Sequence, residues 1–182
     1  MRARLRKPIA LIGFMGAGKS SVAAELSQRL QCAFIDLDEV IEAASGLTVA
    51  QIFEHHGEEI FRNFETELLK AALAEPEPAV IACGGGIVLD ERNISSLKSD
   101  AFVIYLEVSV SEVIDRIDDF STRPLIQGVD GPEEIADLLM SREELYESVA
   151  DLVVDTVGLD VSEVCDEIMM AFEAGDYELF HS

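Results

Sequence analysis

The chain is short of positive charge, of cysteine and of long apolar runs, and each shortage closes a class of function. Only 13 of its 182 residues are lysine or arginine, against 36 aspartates and glutamates, for a net charge of −23. Such a field repels a polyphosphate backbone, so no nucleic-acid partner is expected. Exposed charges are screened beyond about 8 Å at physiological salt, so a small phosphate-bearing ligand depends only on the cations gathered at its own site. Those cations are few: Arg2, Arg4, Arg6 and Lys7 take up four of them within the first seven residues. The cysteines, Cys32, Cys83 and Cys165, are odd in number and form no C-x-x-C pair, which fits a reducing cytoplasm. His55, His56 and His181 lack the spacing of a metal site, and the first two read as a helix terminus. No apolar run approaches the roughly 20 residues of a membrane span, since the stretch from Ile9 stops at Lys19, so no membrane partner is expected. The basic start before Pro8 imitates a secretory leader, but Lys19 and the motif around it argue against that reading.

What is present is material for one compact α/β domain spanning 1–182. Apolar residues make up 49% of the chain, enough for a sizeable core at this length. Short apolar runs, Pro8 to Ile12, Ala33 to Leu37, Ala79 to Cys83, Ala101 to Glu107 and Leu152 to Thr156, alternate with longer helical patterns. That layout predicts five strands in a parallel sheet. Thr48 with Gln51, Ser109 with Glu112 and Asp160 with Glu163 read as helix starts, and Gly46, Gly57 and Gly175 as stops. A helix over Glu58 to Ala74 is expected to bury Phe61, Phe64, Leu68 and Leu69, and Pro132 to open another. Asp118 to Gly131 carries no periodicity and reads as a long loop of the kind that forms lids.

The chemistry starts at Gly13-Phe-Met-Gly-Ala-Gly-Lys19-Ser20, which fits the phosphate loop G-x-x-x-x-G-K-[ST] between a strand and a helix. Its glycines let successive N–H groups curl around phosphate oxygens at the positive end of a helix. Lys19 is expected to reach the β/γ-phosphates and Ser20 to reach Mg²⁺. The dinucleotide pattern G-x-G-x-x-G is absent. Asp36-Leu-Asp38 closes the second strand, where α/β sheets bind ligands. Strand alternation would turn both carboxylates to one side, one to the metal and one to a substrate hydroxyl, unless Asp38 merely caps the next helix. Arg62 and Glu65 stand one helical turn apart, as in an ordinary surface ion pair. Gly84-Gly85-Gly86 after the third strand reads as a place where backbone approaches a ligand closely, or as a flexible turn. Arg116, Arg123 and Arg142 taken singly read as solvated side chains.

Taken together, Gly13-Phe-Met-Gly-Ala-Gly-Lys-Ser-Ser, Asp36-Leu-Asp, Ile52-Phe with Gly57-Glu, Phe61-Arg-x-x-Glu, Cys83-Gly-Gly-Gly, Arg123-Pro-Leu-Ile, Arg142-x-x-x-Tyr146 and Ala150-Asp-Leu-Val-Val-Asp-Thr resemble the shikimate kinase family in order and spacing. The likeness covers nearly the whole chain. It implies a three-layer P-loop kinase fold, nucleoside-monophosphate-kinase-like, with a five-stranded parallel sheet of order 2-3-1-4-5, helices on both faces and a lid loop. The phosphate loop would be 13–20, the substrate-binding region about 38–70 and the lid about 118–131. It implies ATP-dependent phosphorylation of the shikimate 3-hydroxyl in aromatic amino acid biosynthesis, with Mg²⁺, by a cytoplasmic monomer. Lys19, Asp38 and Arg123 resemble the catalytic residues. Gly16, Ala17, Gly18, Lys19, Ser20, Ser21, Arg116 and Arg123 resemble ATP contacts, with Arg116 on the adenine side and Arg123 as the lid arginine. Asp38, Arg62, Gly84, Gly85, Gly86 and Arg142 resemble shikimate contacts, Ser20 and Asp36 the metal side, with Asp36 acting through water, and Glu65 the acid that orients Arg62. Guanidinium is the geometrically matched donor for a carboxylate-bearing substrate.

Two positions depart from the family pattern. Ser21 stands where many relatives have threonine, and Val157-Gly158 offers no cation towards adenine. Two other readings share the phosphate loop: a small-molecule kinase for a different polyol, such as gluconate, and a non-catalytic nucleotide-binding relative. The three glycines and the Phe-Arg-x-x-Glu helix favour shikimate over the first. Retention of Lys19, Asp38 and Arg123 argues against the second.

Overall fold

Residues 5–116, 132–175 and 177–180 are described in this computed structural model. Arg2, Arg4, His181 and the 118–131 segment with Arg123 lie outside them. Five parallel strands, β1 Ile9–Ile12, β2 Ala33–Asp36, β3 Ala79–Ala82, β4 Phe102–Glu107 and β5 Leu152–Asp155, form one sheet in the expected order β2-β3-β1-β4-β5. β1 and β3 are buried throughout and β4 nearly so, which is why their sequences run apolar without alternation. The outer strands keep exposed Phe34 and Val153. Leu11 pairs with both Ala82 and Ile104, and Asp36 with Ala82, so Gly13, Asp36 and Cys83 come level at the C-terminal edge of the sheet. Ligands of open parallel sheets bind at that edge.

The helices are α1 Lys19–Leu30, α2 Leu37–Ser45, α3 Val49–His56, α4 Glu58–Leu73, α5 Glu91–Asp100, α6 Val110–Arg116, α7 Pro132–Val149 and α8 Val161–Ala174, with a 3-10 turn at Ile87–Leu89. Thr48 with Gln51 and Asp160 with Glu163 form the reciprocal caps their spacing predicts, and His55 and His56 lie in the last turn of α3. Three helices with a core of their own carry one side of the edge. Ile41 of α2, Ile52 of α3 and Phe61 of α4 bury against one another, and the Phe53 and Phe61 rings meet at 4.7 Å. Each such side chain contributes about 1.5–3 kcal/mol by its burial, which fixes α2 against α4.

Two expectations change here. The second strand ends at Asp36, and Asp36 rather than Asp38 caps α2: its carboxylate accepts from the N–H groups of Asp38 and Glu39. Strand alternation therefore does not reach Asp38, which sits in the first turn of the helix. On α4 the buried side is Phe61, Glu65, Thr66, Leu69 and Ala72, while Phe64 is 40% exposed. The helix turns a glutamate inward and a phenylalanine outward, a reversal that hydrophobic periodicity alone does not anticipate.

Candidate active site

The phosphate loop joins β1 to α1. Gly16 and Gly18 hold φ of 79° and 83°, a region that side chains with a Cβ rarely adopt, and Gly18 is the N-cap residue of α1. Ala17 is buried and its N–H closes the loop on the Phe14 carbonyl at 3.3 Å. Lys19 Nζ donates to the carbonyls of Gly13 and Phe14, both at 2.9 Å, which brings the ammonium to the inside of the loop. Ser20 Oγ donates to Asp36 Oδ2 at 2.5 Å, so the cap of α2 is tied to the first turn of α1. Arg116 of α6 donates to the Gly16 carbonyl at 3.3 Å, to Glu112 at 2.9 Å and to the Thr156 carbonyl at 3.4 Å. Glu112 also accepts from the N–H of Gly158, so the segment without a cation is linked to Arg116 through an acid. A cleft of about 350 Å³ is lined by Gly16, Gly18, Lys19, Ser20, Ser21, Asp36, Asp38, Gly85 and Arg116, together with Met15 and Cys83. Burial pushes the Cys83 thiol well above its ordinary range, which keeps it an inert neighbour.

On the other side of the cleft stand the three glycines, none of them among the positive-φ residues. What they provide is room. A Cβ on Gly84 would lie 2.5 Å from Glu65 Oε1 and 3.3 Å from Asp38 Oδ1, and one on Gly86 would lie 2.5 Å from Arg62 Nη1. A Cβ on Gly85 would press on the phosphate loop, 3.3 Å from Met15 N. The turn thus seats Asp38 from α2, Arg62 and Glu65 from α4, and the loop itself. Arg62 Nη1 pairs with Glu65 Oε2 at 2.6 Å, while its link to the exposed Glu58 at 3.2 Å contributes little. Glu65 is fully buried, and its Oε1 has no hydrogen-bond partner among the described residues. Burial raises its pKa to about 6; Arg62 opposes the rise and the charge of Asp38 adds to it.

Arg142 reaches the turn from α7, whose inward face reads Ile135, Leu139, Arg142, Tyr146 and Val149. The arginine is 6% exposed, donates to the Gly85 carbonyl at 3.4 Å and lies 5.7 Å from the centre of the Phe14 ring. Three cations, Lys19, Arg62 and Arg142, and the carboxylate of Asp38 are thereby gathered at one edge of a strongly acidic molecule. Phe14, Met15 and Tyr146 stand within the quoted motifs, but none of them was given a role there. Tyr146 stood four residues from Arg142, a spacing that puts both on one helix face.

A family model described as Shikimate kinase matches residues 15–173. A protein described as Shikimate kinase from Thermodesulfovibrio yellowstonii is 42% identical over 168 residues, 92% of this chain and 95% of that protein. Among solved structures, shikimate kinase from Acinetobacter baumannii in complex with shikimate superposes with a TM-score of 0.89 at 32% identity, covering 94% of this chain and 96% of that one. Shikimate kinase from Aquifex aeolicus superposes with a TM-score of 0.80 at 34% identity, covering 92% and 96%. With the phosphate loop, the glycine turn and their cations already at one edge of the sheet, these likenesses assign the fold and the chemistry together: the chain belongs to the shikimate kinase family, whose reaction is the ATP-dependent phosphorylation of shikimate.

Proposed function

We propose that the chain moves the γ-phosphoryl group of ATP to the 3-hydroxyl of shikimate as a cytoplasmic monomer acting through one domain, 1–182. The observation that carries this reading is the contact between the two half-sites. Gly85 rests on the phosphate loop, while Arg62, Arg142 and Asp38 surround the same turn. Lys19 and the N–H groups from Gly16 to Ser21 hold the β- and γ-phosphates. Arg62 and Arg142 hold the substrate carboxylate by charge-assisted hydrogen bonds, and the backbone of Gly84 to Gly86 lines its ring. Asp38 accepts the proton of the 3-hydroxyl as that oxygen bonds to the γ-phosphorus and the bond to the departing ADP oxygen breaks. Arg116 serves the adenine side. Arg123 enters from its sequence motif, as the arginine that meets charge developing on the transferring group.

Ser20 and Asp36 supply hard oxygen donors 2.5 Å apart, a pair that suits Mg²⁺ and not a soft metal. Among the described residues no group of three or more histidines, cysteines or acids gathers into a cage. Ser20 would hold Mg²⁺ directly and Asp36 through water, and the ion would supply neutralisation of the phosphate charge. The test is an ADP-coupled assay offering shikimate, gluconate and nucleoside monophosphates in turn. Turnover is expected with shikimate alone. Equal turnover with gluconate or a nucleoside monophosphate would overturn the proposal.

A further inference from the structure

The carbonyl of Gly85 is the acceptor on which the two half-sites meet, and α7 supplies both of its donors. One is Arg142 Nη1 at 3.4 Å, long for a charged donor; the other is the hydroxyl of Tyr146, far closer. A Cβ on Gly85 would lie 3.3 Å from Met15 N and 3.6 Å from Gly13 O of the phosphate loop, so there is no room for one between the turn and the loop, and the position of Gly85 sets the spacing between the nucleotide and the acceptor substrate. Tyr146 is fully buried, and its ring stacks on Tyr105 of β4 with centroids 5.1 Å apart and planes 23° from parallel. A ring anchored on the central sheet is a rigid support for its hydroxyl. Burial pushes the phenol up to about 12, so the hydroxyl remains a donor throughout the neutral range.

We infer that Tyr146 is a positioning residue of the reaction: its hydroxyl occupies the Gly85 carbonyl, holding the glycine turn on the phosphate loop and leaving the Arg142 guanidinium to the substrate carboxylate. The inference rests on the reading of Gly85 and Arg142 as shikimate contacts. An arginine that must satisfy a buried carbonyl is a poorer anion receptor, because binding the anion then strips the carbonyl of its donor. With Tyr146 in place, Arg142 gives up only a weak bond when it turns to the substrate. The motif Arg142-x-x-x-Tyr146 contains the tyrosine but was read with no role for it, and no contact between Tyr146 and the nucleotide side is required.

Tyr146→Phe keeps the ring, its stack and its volume, and removes only the donor. Its KM for shikimate is expected to rise roughly tenfold, with KM for ATP unchanged and kcat nearly kept, the scale of one lost hydrogen bond to a charged site. Tyr105→Phe, which alters the other ring of the stack, should move neither KM. 4-Aminophenylalanine at position 146 restores an N–H donor and should bring the shikimate KM back towards the parent value; it also serves as the folded test case if the phenylalanine variant is unstable. In an Arg142→Ala background, Tyr146→Phe should add little, because the tyrosine acts through that arginine. An unchanged shikimate KM in Tyr146→Phe, or an equal rise in both KM values, overturns the inference. If Arg142→Ala itself leaves the shikimate KM unchanged, the reading of the site fails first, and the two failures are told apart.

Discussion

Residues 13–18 and residues 84–86 are glycine-rich turns at the same edge of the same sheet, yet glycine answers a different physical demand in each. At Gly16 and Gly18 of the phosphate loop the demand is conformational, with φ near 80°. In the second turn it is spatial: the side chains of Glu65 and Arg62, from a helix about 20 residues earlier, fill the places where Cβ atoms would be. The first turn is therefore a local object that recurs in many nucleotide-binding proteins. The second has meaning only with α4 and α7 packed around it, which is why the proposal places the acceptor substrate there.

The sharpest separation of the two comes from charge removal on each side. Lys19→Met is expected to leave the fold intact and to lower kcat by about 10²- to 10³-fold or more, since phosphoryl transfer depends on positive charge fixed around the β/γ-phosphates. Turnover within tenfold of the parent would break the comparison at its first term. Arg62→Ala and Arg142→Ala should each weaken shikimate by about 1.5–3 kcal/mol and leave nucleotide affinity nearly unchanged. Calorimetry with each ligand separately reads both arms. A matching loss of ATP affinity would mean that the second turn is not a separate substrate site.

The same contrast explains what the sequence disclosed. The five strands and the phosphate loop were legible because short apolar runs and a spaced glycine motif are local signals, whereas the strand order followed only from the family resemblance. The reading failed where tertiary contact overrides periodicity. Phe64 was expected inside and Glu65 outside, but Glu65 is drawn into the core by Arg62 and by the space over Gly84, and Phe64 is left facing out. At Asp36-Leu-Asp38 the strand gives way to a helix two residues sooner than alternation assumes, so the capping oxygen belongs to Asp36. Tyr146 stood in a quoted motif without a role, because a tyrosine on an inward helix face looks like core until its hydroxyl is seen on Gly85. Glu65 on α4 and Arg142 on α7 are polar groups on the buried side of a helix, and read singly in the sequence both had passed for surface residues.

The buried acid of the second turn should also show in stability. Its pKa rises from 4.5 to about 6 on folding, with burial the leading cause. The folded chain then holds more protons than the unfolded one between those values, so this group makes stability fall as pH rises through that window. Integrated, the loss is about 2 kcal/mol, complete above the folded value and absent below the unfolded one. Urea unfolding of the parent and of Glu65→Gln at several pH values isolates it from the other carboxylates. The stability of the glutamine variant relative to the parent should increase from pH 4.5 to pH 7, and a gap that stays flat would show that Glu65 titrates normally.

The smallest effect tests the comparison most directly. Gly84→Ala places a methyl carbon 2.5 Å from Glu65 Oε1, too close for either to stay, so the variant should be less stable by about 1–3 kcal/mol through overpacking. If the demand on Gly84 is space, shortening Glu65 must relieve it. Gly84→Ala combined with Glu65→Ala should then cost less than the sum of the two single changes, by about 1 kcal/mol, within the ordinary range for residues in contact. The phosphate loop supplies the contrast. Gly18→Ala meets no atom closer than Val22 Cγ2 at 4.0 Å, and its strain comes from φ of 83°. Trimming Val22 to alanine should therefore leave the cost of Gly18→Ala unrelieved, because no neighbouring side chain causes it. Denaturation midpoints of the two double-mutant cycles read both predictions on one scale. Additive costs at Gly84 and Glu65 would mean that the second turn, like the first, requires glycine for its backbone, and the distinction between the two would fall.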